Sequence, residues 1–185
     1  MKRRAMAMAV IMAVAFAATV QAGSFVGTVR VGLNATHTDT SETVPTGGAA
    51  ASEKFTDWVV NQTFTAGTNA NQANMFFPKT YTTTNTAATT IDINGATADT
   101  FGVSVAISEA RFVLVSADSG NSNAVQMSWS PFVDEWVDIR PGGTVVFFAP
   151  DATAYPSTNA TADSIVITNT SGASATYSVL VGGSN

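Results

Sequence analysis

The sequence predicts an all-β protein: an antiparallel β-sandwich of jelly-roll-like type, preceded by an N-terminal apolar helix of signal type. Three observations carry that reading. Beyond residue 23 the chain is dominated by Thr, Ala, Ser, Val, Asn and Gly, with almost no Leu. Thr and Val lose torsional freedom in a helix and fit a pleated surface. Apolar residues recur at period two, in short segments about 8 to 12 residues apart with Gly, Asn or Pro between them, the pattern of a sandwich or barrel. After Ala22 no segment has convincing helical periodicity.

The first 22 residues read as a separate unit. Lys2, Arg3 and Arg4 precede an apolar run from Ala5 to Val20, and Val20-Gln21-Ala22 offers small side chains to a signal peptidase. In a helix this run reaches about 24 Å, short of the roughly 30 Å of a bilayer core, so cleavage after Ala22 is the expectation over a permanent anchor. The alternative reading is a start codon placed upstream of a protein that begins near Ser24.

From Gly23 a first strand is expected over Phe25 to Leu33. Asn34 to Lys54, with Pro45 and Gly47-Gly48, has no apolar periodicity and reads as a linker. Residues 23–54 are therefore expected to be a strand plus linker, and 55–185 a sandwich domain. Phe55 to Phe64 resumes the strand pattern. Met75-Phe76-Phe77 is a short apolar knot expected to stop at Pro78, before the Thr-rich stretch to Thr90 and Ile91-Asp92-Ile93. Phe101, Val103, Val105 and Ile107 alternate with small residues and predict a strand. Arg111 to Val115 reads as a buried strand ended by the turn formers Asp118-Ser119-Gly120-Asn121. Val125, Met127 and Trp129 share one face of the next strand, which places Trp129 in the core. Trp136 to Ile139, Thr144 to Phe148, Ser164 to Thr168 and Thr176 to Val181 complete the set. Between two of them Pro141 fixes φ ahead of Gly142-Gly143, which can take the positive φ of a tight turn.

Charge narrows the function classes. The chain has 8 basic and 13 acidic residues, a net charge of −5. Without Lys2, Arg3 and Arg4 the net charge becomes about −8. Nucleic acid and anionic membranes select basic surfaces, so neither is an expected partner, and a membrane is expected only through an uncleaved residue 5–20 segment. With no cysteine, disulfides, thiolate metal sites and a cysteine nucleophile are excluded.

Catalytic groupings are scarce. His37, the one histidine, sits in the polar segment Thr36-His37-Thr38-Asp39 and reads as a loop residue, a poor base for a triad that needs its base held in place. Asp118 to Asn123 carries oxygen ligands without EF-hand spacing and reads as a hairpin turn. Asp134 and Glu135 are adjacent and point to opposite faces of a strand, where a glycosidase needs two carboxyls facing each other. Glu109 and Arg111, two apart, are expected to form a surface ion pair. The sequence thus names no catalytic residue, no metal ligand and no cofactor. Aromatics could instead stack on a sugar or a partner, and Trp58, Trp136 and Tyr155 are the candidate contact residues.

A serial order of short motifs adds a family resemblance. Asn71-Gln72-Ala73-Asn74-Met75-Phe76, Ile91-Asp92-Ile93-Asn94-Gly95, Ala98-Asp99-Thr100-Phe101-Gly102, Ala110-Arg111-Phe112, Arg140-Pro141-Gly142-Gly143, Ala149-Pro150-Asp151-Ala152 and Ile167-Thr168-Asn169 precede a last strand from Ala175 to Gly183. This order resembles a family of small tailed-bacteriophage virion proteins, over roughly Phe55 to Asn185. The resemblance implies a β-sandwich capsid-decoration, head-fibre or tail-associated subunit without enzymatic activity, homo-oligomeric and bound to other virion proteins such as a major capsid protein. It carries over no functional residue, and a secretory signal is a departure from its pattern. The expected location is the virion, or the periplasm or exterior if the signal acts. The second reading is a secreted adhesion or glycan-binding β-sandwich protein.

Overall fold

The computed structural model describes residues 26–38, 52–95, 97–102, 104–129, 132–157, 163–170 and 172–185. The signal-like segment 1–22 and its expected helix lie outside the described residues. Within them the protein is all-β, with no helix and with every strand ladder antiparallel.

Among the described residues eleven strands form three sheets. β1 (Val26–Thr38) pairs with β2 (Ser52–Thr65) in a two-stranded ribbon. β3 (Met75–Thr83), β4 (Ala88–Asp92), β5 (Glu109–Ala117), β6 (Val125–Trp129), β7 (Val133–Ile139), β8 (Thr144–Phe148), β9 (Tyr155–Pro156), β10 (Ser164–Asn169) and β11 (Ala175–Ser184) make up the body. One body sheet has the order β4-β10-β6-β7, the other β3-β11-β5-β8, with β9 also on β5. The pairings are nested: β6 with β7, β5 with β8, β4 with β10 and β3 with β11. Further ladders join β10 to β6 and β11 to β5.

One cluster of buried side chains draws on both body sheets. Ile91, Val125, Met127, Trp129, Ile139, Ile165 and Ile167 come from the first, and Phe77, Val113, Val115, Tyr177, Val179 and Val181 from the second. The alternation that predicted β6 and β10 is the alternation that fills this core, since both strands bury every second residue. Trp129 is fully buried, with the rings of Phe132, Tyr155 and Phe147 at 4.7, 5.2 and 6.0 Å. Its removal should cost about 3 to 5 kcal/mol.

Several segments differ from the sequence expectation. β1 continues to Thr38 and β2 begins at Ser52, so 34–38 and 52–54 are strand where a linker was expected; cross-strand pairing satisfies their backbone without apolar periodicity. His37 accordingly stands on a strand, opposite Glu53. β3 runs through Pro78. It is an edge strand, and the Pro78 carbonyl accepts from Thr100 N at 3.1 Å and Thr100 Oγ1 at 2.6 Å, away from β11. N and C=O of one strand residue face the same side, so the missing N–H removes no ladder bond.

The strand expected over Phe101 to Ile107 is an irregular segment instead. Asp99 Oδ1 accepts from Phe101 N at 2.8 Å, and Gly102 has φ +81°, which turns the chain away. Val105 and Ile107 nevertheless reach the core while Ser104 and Ala106 stay exposed. The turn at Arg140 to Gly143 forms as the residues dictate: Gly142 has φ +75°, and Gly143 N donates to Arg140 O at 2.7 Å.

Candidate functional site

The densest polar chemistry among the described residues lies at one end of the body, around Arg111. In the β5–β11 ladder Ala110 faces Gly183 and Phe112 faces Gly182, so Arg111 is the extra residue of a β-bulge. The bulge needs both glycines. A Cβ on Gly182 would stand 2.2 Å from Phe112 Cζ, and one on Gly183 would stand 2.1 Å from the Glu109 carbonyl oxygen.

Arg111 is fully buried, and its guanidinium binds Glu109 Oε2 at 2.9 Å. This corrects the expected surface pair, because a bulge turns the arginine under the loops that follow β2 and β8. Arg111 also donates to Thr68 O at 2.8 Å and to the Asp151 carbonyl. Ser184 Oγ donates to the same Glu109 oxygen at 2.9 Å. Asn71 N donates to Pro150 O at 2.7 Å, and Asn74 N to Gly183 O at 2.9 Å. Segments far apart in sequence, 68–74, 109–112, 149–152 and 182–184, therefore meet at one node.

Asp151 shapes the outer loop of that node. Its Oδ1 accepts from the Thr153 hydroxyl at 2.7 Å, Ala154 N at 2.8 Å and Thr153 N at 2.8 Å, which together hold its carboxyl below the usual range. They also hold Ala154 at φ +48°, a conformation that L side chains seldom take. The node is a structural clamp in its geometry: every polar atom named binds backbone or a partner in the same clamp.

A second polar feature lies along the edge of β3. Lys79 Nζ donates to the Ala98 carbonyl and stands 5.3 Å from the Tyr81 ring centroid. Lys79, Thr80, Ala98, Asp99, Thr100 and Gly102 line an open depression there. The loop over the edge blocks further strand addition at β3, a usual protection of sheet edges.

The three candidate contact residues fall in different places. Trp136 is on β7, an edge strand of the four-stranded sheet, and is half exposed. Tyr155 is on β9, partly buried against Trp129 and Phe132, and burial followed by the Asp151 charge pushes its hydroxyl pKa up. Trp58 pairs with Leu33 in the ribbon, and its side chain lies outside the described residues. Trp136 and Tyr155 stand on strands of different sheets.

The remaining acidic candidates have local roles. Asp118 Oδ1 accepts from Gly120 N at 2.7 Å, while Asn121 exchanges two 2.8 Å bonds with the Thr176 backbone. Asp138 accepts from Gln126 Nε2 at 2.9 Å. Among the described residues no group of three or more His, Cys, Asp or Glu is placed to hold a metal ion, and no helix is long and apolar enough to cross a membrane.

The faces of the body differ in chemistry. On the outside of the five-stranded sheet, register rows run from Phe76, Gly182, Phe112 and Phe148, through Pro78, Leu180, Leu114 and Val146, to Thr80, Ser178, Ser116 and Thr144. Phe64 of β2 and Ala73 cover the first row, with Val29 of β1 packed beside them. The rings of Phe64 and Phe112 are 5.3 Å apart. The hydroxyl row is cross-linked, with Thr80 to Ser178 at 2.8 Å and Thr144 to Ser116 at 2.9 Å. Sequence reasoning missed this gradient because it needs the strand order; the readable signal was the drift within β8 and β11 from apolar to hydroxyl residues.

In comparisons with family models, with curated proteins and with solved structures, the chain matches none.

Proposed function

We propose that this chain is a non-enzymatic structural subunit of a phage-like virion, a capsid-decoration, head-fibre or tail-associated protein that acts through repeated subunit contacts. The observation that carries the reading is the strand order. The orders β3-β11-β5-β8 and β4-β10-β6-β7, with their nested pairs, fit a double-sheet jelly-roll sandwich, an architecture used in viral capsid and lectin domains. The resemblance of the motif order to that of small phage virion proteins supports the same reading, although fold alone does not name a function. A surface of hydroxyl rows, poor in charge and bearing a rooted β-ribbon, suits packing against copies of itself and against a capsid protein.

The test is mass spectrometry of purified particles from the producing strain, with light scattering of the isolated protein. Stoichiometric presence in particles and a symmetric oligomer are the expected results. A monomer absent from particles would overturn the reading. Sequencing of the mature N-terminus tests cleavage after Ala22 and so separates a virion location from an exported one.

The second reading, a secreted adhesion or glycan-binding protein, is favoured by one observation: Trp136 is half exposed on an edge strand, where an indole face can stack on a sugar. Glycan-array binding that is lost in Trp136→Ala supports it, and a flat array removes it.

A further inference from the structure

β7 closes one end of the four-stranded sheet, and its pairing with β6 is irregular in the middle. Met127 faces Val137 and Trp129 faces Val133, so Ser128 alone stands against Asp134, Glu135 and Trp136. β7 thus carries a bulge. A bulge at a sheet edge re-aims side chains, and this one breaks the alternation that the following residues keep. Val137 is half-buried, Asp138 exposed and Ile139 buried, whereas Glu135 and Trp136 are exposed in succession. The indole is left half open to solvent.

Trp136 borders the outer face of the sheet. Val125, Met127, Trp129 and Ile139 point into the core, which leaves Gln126, Ser128 and Asp138 on the opposite side. Register continues the rows across the sheet, from Asp138 and Gln126 to Thr168 and Ala88, and from Ser128 to Val166 and Thr90. Apart from Asp138 these rows are uncharged. Gln126 Nε2 donates to Asp138 Oδ1 at 2.9 Å, which fixes the carboxylate, while Asp138 Oδ2 binds none of the described residues. The face beside the indole therefore offers a held carboxylate oxygen, an amide and hydroxyls.

An exposed indole serves an added strand, a cation or a sugar. An added strand needs a regular edge, and the bulge removes that along 134–136. A cation would be drawn by the indole and by Glu135 and Asp138, yet it makes no use of the amide and hydroxyl rows. A sugar uses all of them. Its C–H face packs on the electron-rich indole, and its hydroxyls bond the carboxylate and the amide. Residues two apart on a strand are about 6.6 Å apart, close enough for one ring to meet both Trp136 and Asp138. An acidic sugar is repelled, because Glu135 and Asp138 are both exposed there.

Within the glycan-binding reading, on which this rests, we infer that the β7 corner of the four-stranded sheet is a binding site for neutral pyranose sugars. Trp136 stacks on the ring, Asp138 Oδ2 and Gln126 bond its hydroxyls, and Ser128 and Thr168 extend the polar floor across the sheet.

The full-length protein is titrated with neutral cello-, malto-, manno- and galacto-oligosaccharides, with an oligogalacturonate and a sialylated oligosaccharide, and with an oligolysine peptide, each at low and high salt. A neutral oligosaccharide should bind, with an affinity that salt leaves unchanged because no charge is neutralised. Trp136→Ala should weaken that binding by about tenfold or more, and Trp136→Tyr should restore part of it, both with a melting temperature close to wild type. Asp138→Ala should weaken it by a smaller factor. Acidic sugars bound in place of neutral ones would overturn the ligand class and leave the glycan-binding reading standing. Neutral-sugar binding that Trp136→Ala leaves intact would overturn the site and move glycan binding to another surface. Silence from every oligosaccharide, with or without oligolysine binding, would overturn both.

Discussion

The body and the ribbon are built from the same residue types and end up with opposite dependencies. In the body, two sheets share one core, and every second residue of β6 and β10 is buried in it. In the ribbon, cross-strand pairing runs along β1 and β2 with one bulge past Leu33, while burial at its described root lies with Phe64 and the residues beside it. The contrast teaches that backbone pairing extends a strand as far as the chain allows, whereas packing decides whether it stands alone. The body should therefore carry the global stability, and the ribbon should open locally at lower cost.

The strongest way to break the contrast is to empty the core. Trp129→Ala should lose about 3 to 5 kcal/mol in urea unfolding, with body and ribbon signals lost together. A smaller loss would mean that the aromatic cluster of Phe132, Phe147 and Tyr155 collapses onto the vacancy.

Next in size is the clamp that joins the two regions. Arg111→Ala leaves Glu109 and the Thr68 and Asp151 carbonyls without their cation, which should cost about 3 kcal/mol. Hydrogen exchange should find the loss concentrated at 65–74 and the ribbon root. Gly183→Ala attacks the same node sterically, because its methyl would meet the Glu109 backbone and not a yielding side-chain tip. About 1 to 3 kcal/mol is expected from equilibrium unfolding. If either variant leaves ribbon exchange unchanged, the clamp does not hold the root.

Alkaline pH probes the body without mutation. Tyr81 and Tyr177 stack at 5.5 Å, and burial, followed by the neighbouring Tyr177, pushes the Tyr81 pKa up to about 12. Burial also raises Tyr177. A raised folded pKa favours the neutral phenol in the native state. That contribution is fully present below the unfolded value near 10 and is lost as pH rises from 10 through about 12. Stability followed by circular dichroism should therefore decline across this window, and Tyr81→Phe should flatten the decline.

Much of this body was legible in the sequence. β8 has the bounds that Pro141-Gly142-Gly143 and Pro150 punctuate, and the Val125, Met127 and Trp129 alternation placed Trp129 in the core. The pairing of β3 with β11 was not legible, since period two states that a strand exists and not which distant strand it meets. The outer part of the ribbon was missed because Ala35 to Thr38 and Ser52 to Lys54 are held by strand pairing, which leaves no mark in hydrophobicity. Arg111 was read as exposed because a charge usually is; the contrary signal was its place inside the apolar run Ala110 to Val115. Of the candidate contacts, sequence could name exposed aromatics but could not separate Trp136 on an edge from Tyr155 beside the core.

That separation leads to the smallest effect. Trp136 stands on β7 with half of its surface open, so Trp136→Ala removes few core contacts and should change stability by less than about 0.5 kcal/mol. Tyr155→Ala, which strips a ring from Trp129 and Phe132, should cost several times as much. The pair sharpens the comparison within the body itself: the edge aromatic is free to serve a ligand, and the inner one is committed to packing. Equal losses in the two variants would place Trp136 in the core's service and withdraw the main support for sugar stacking there.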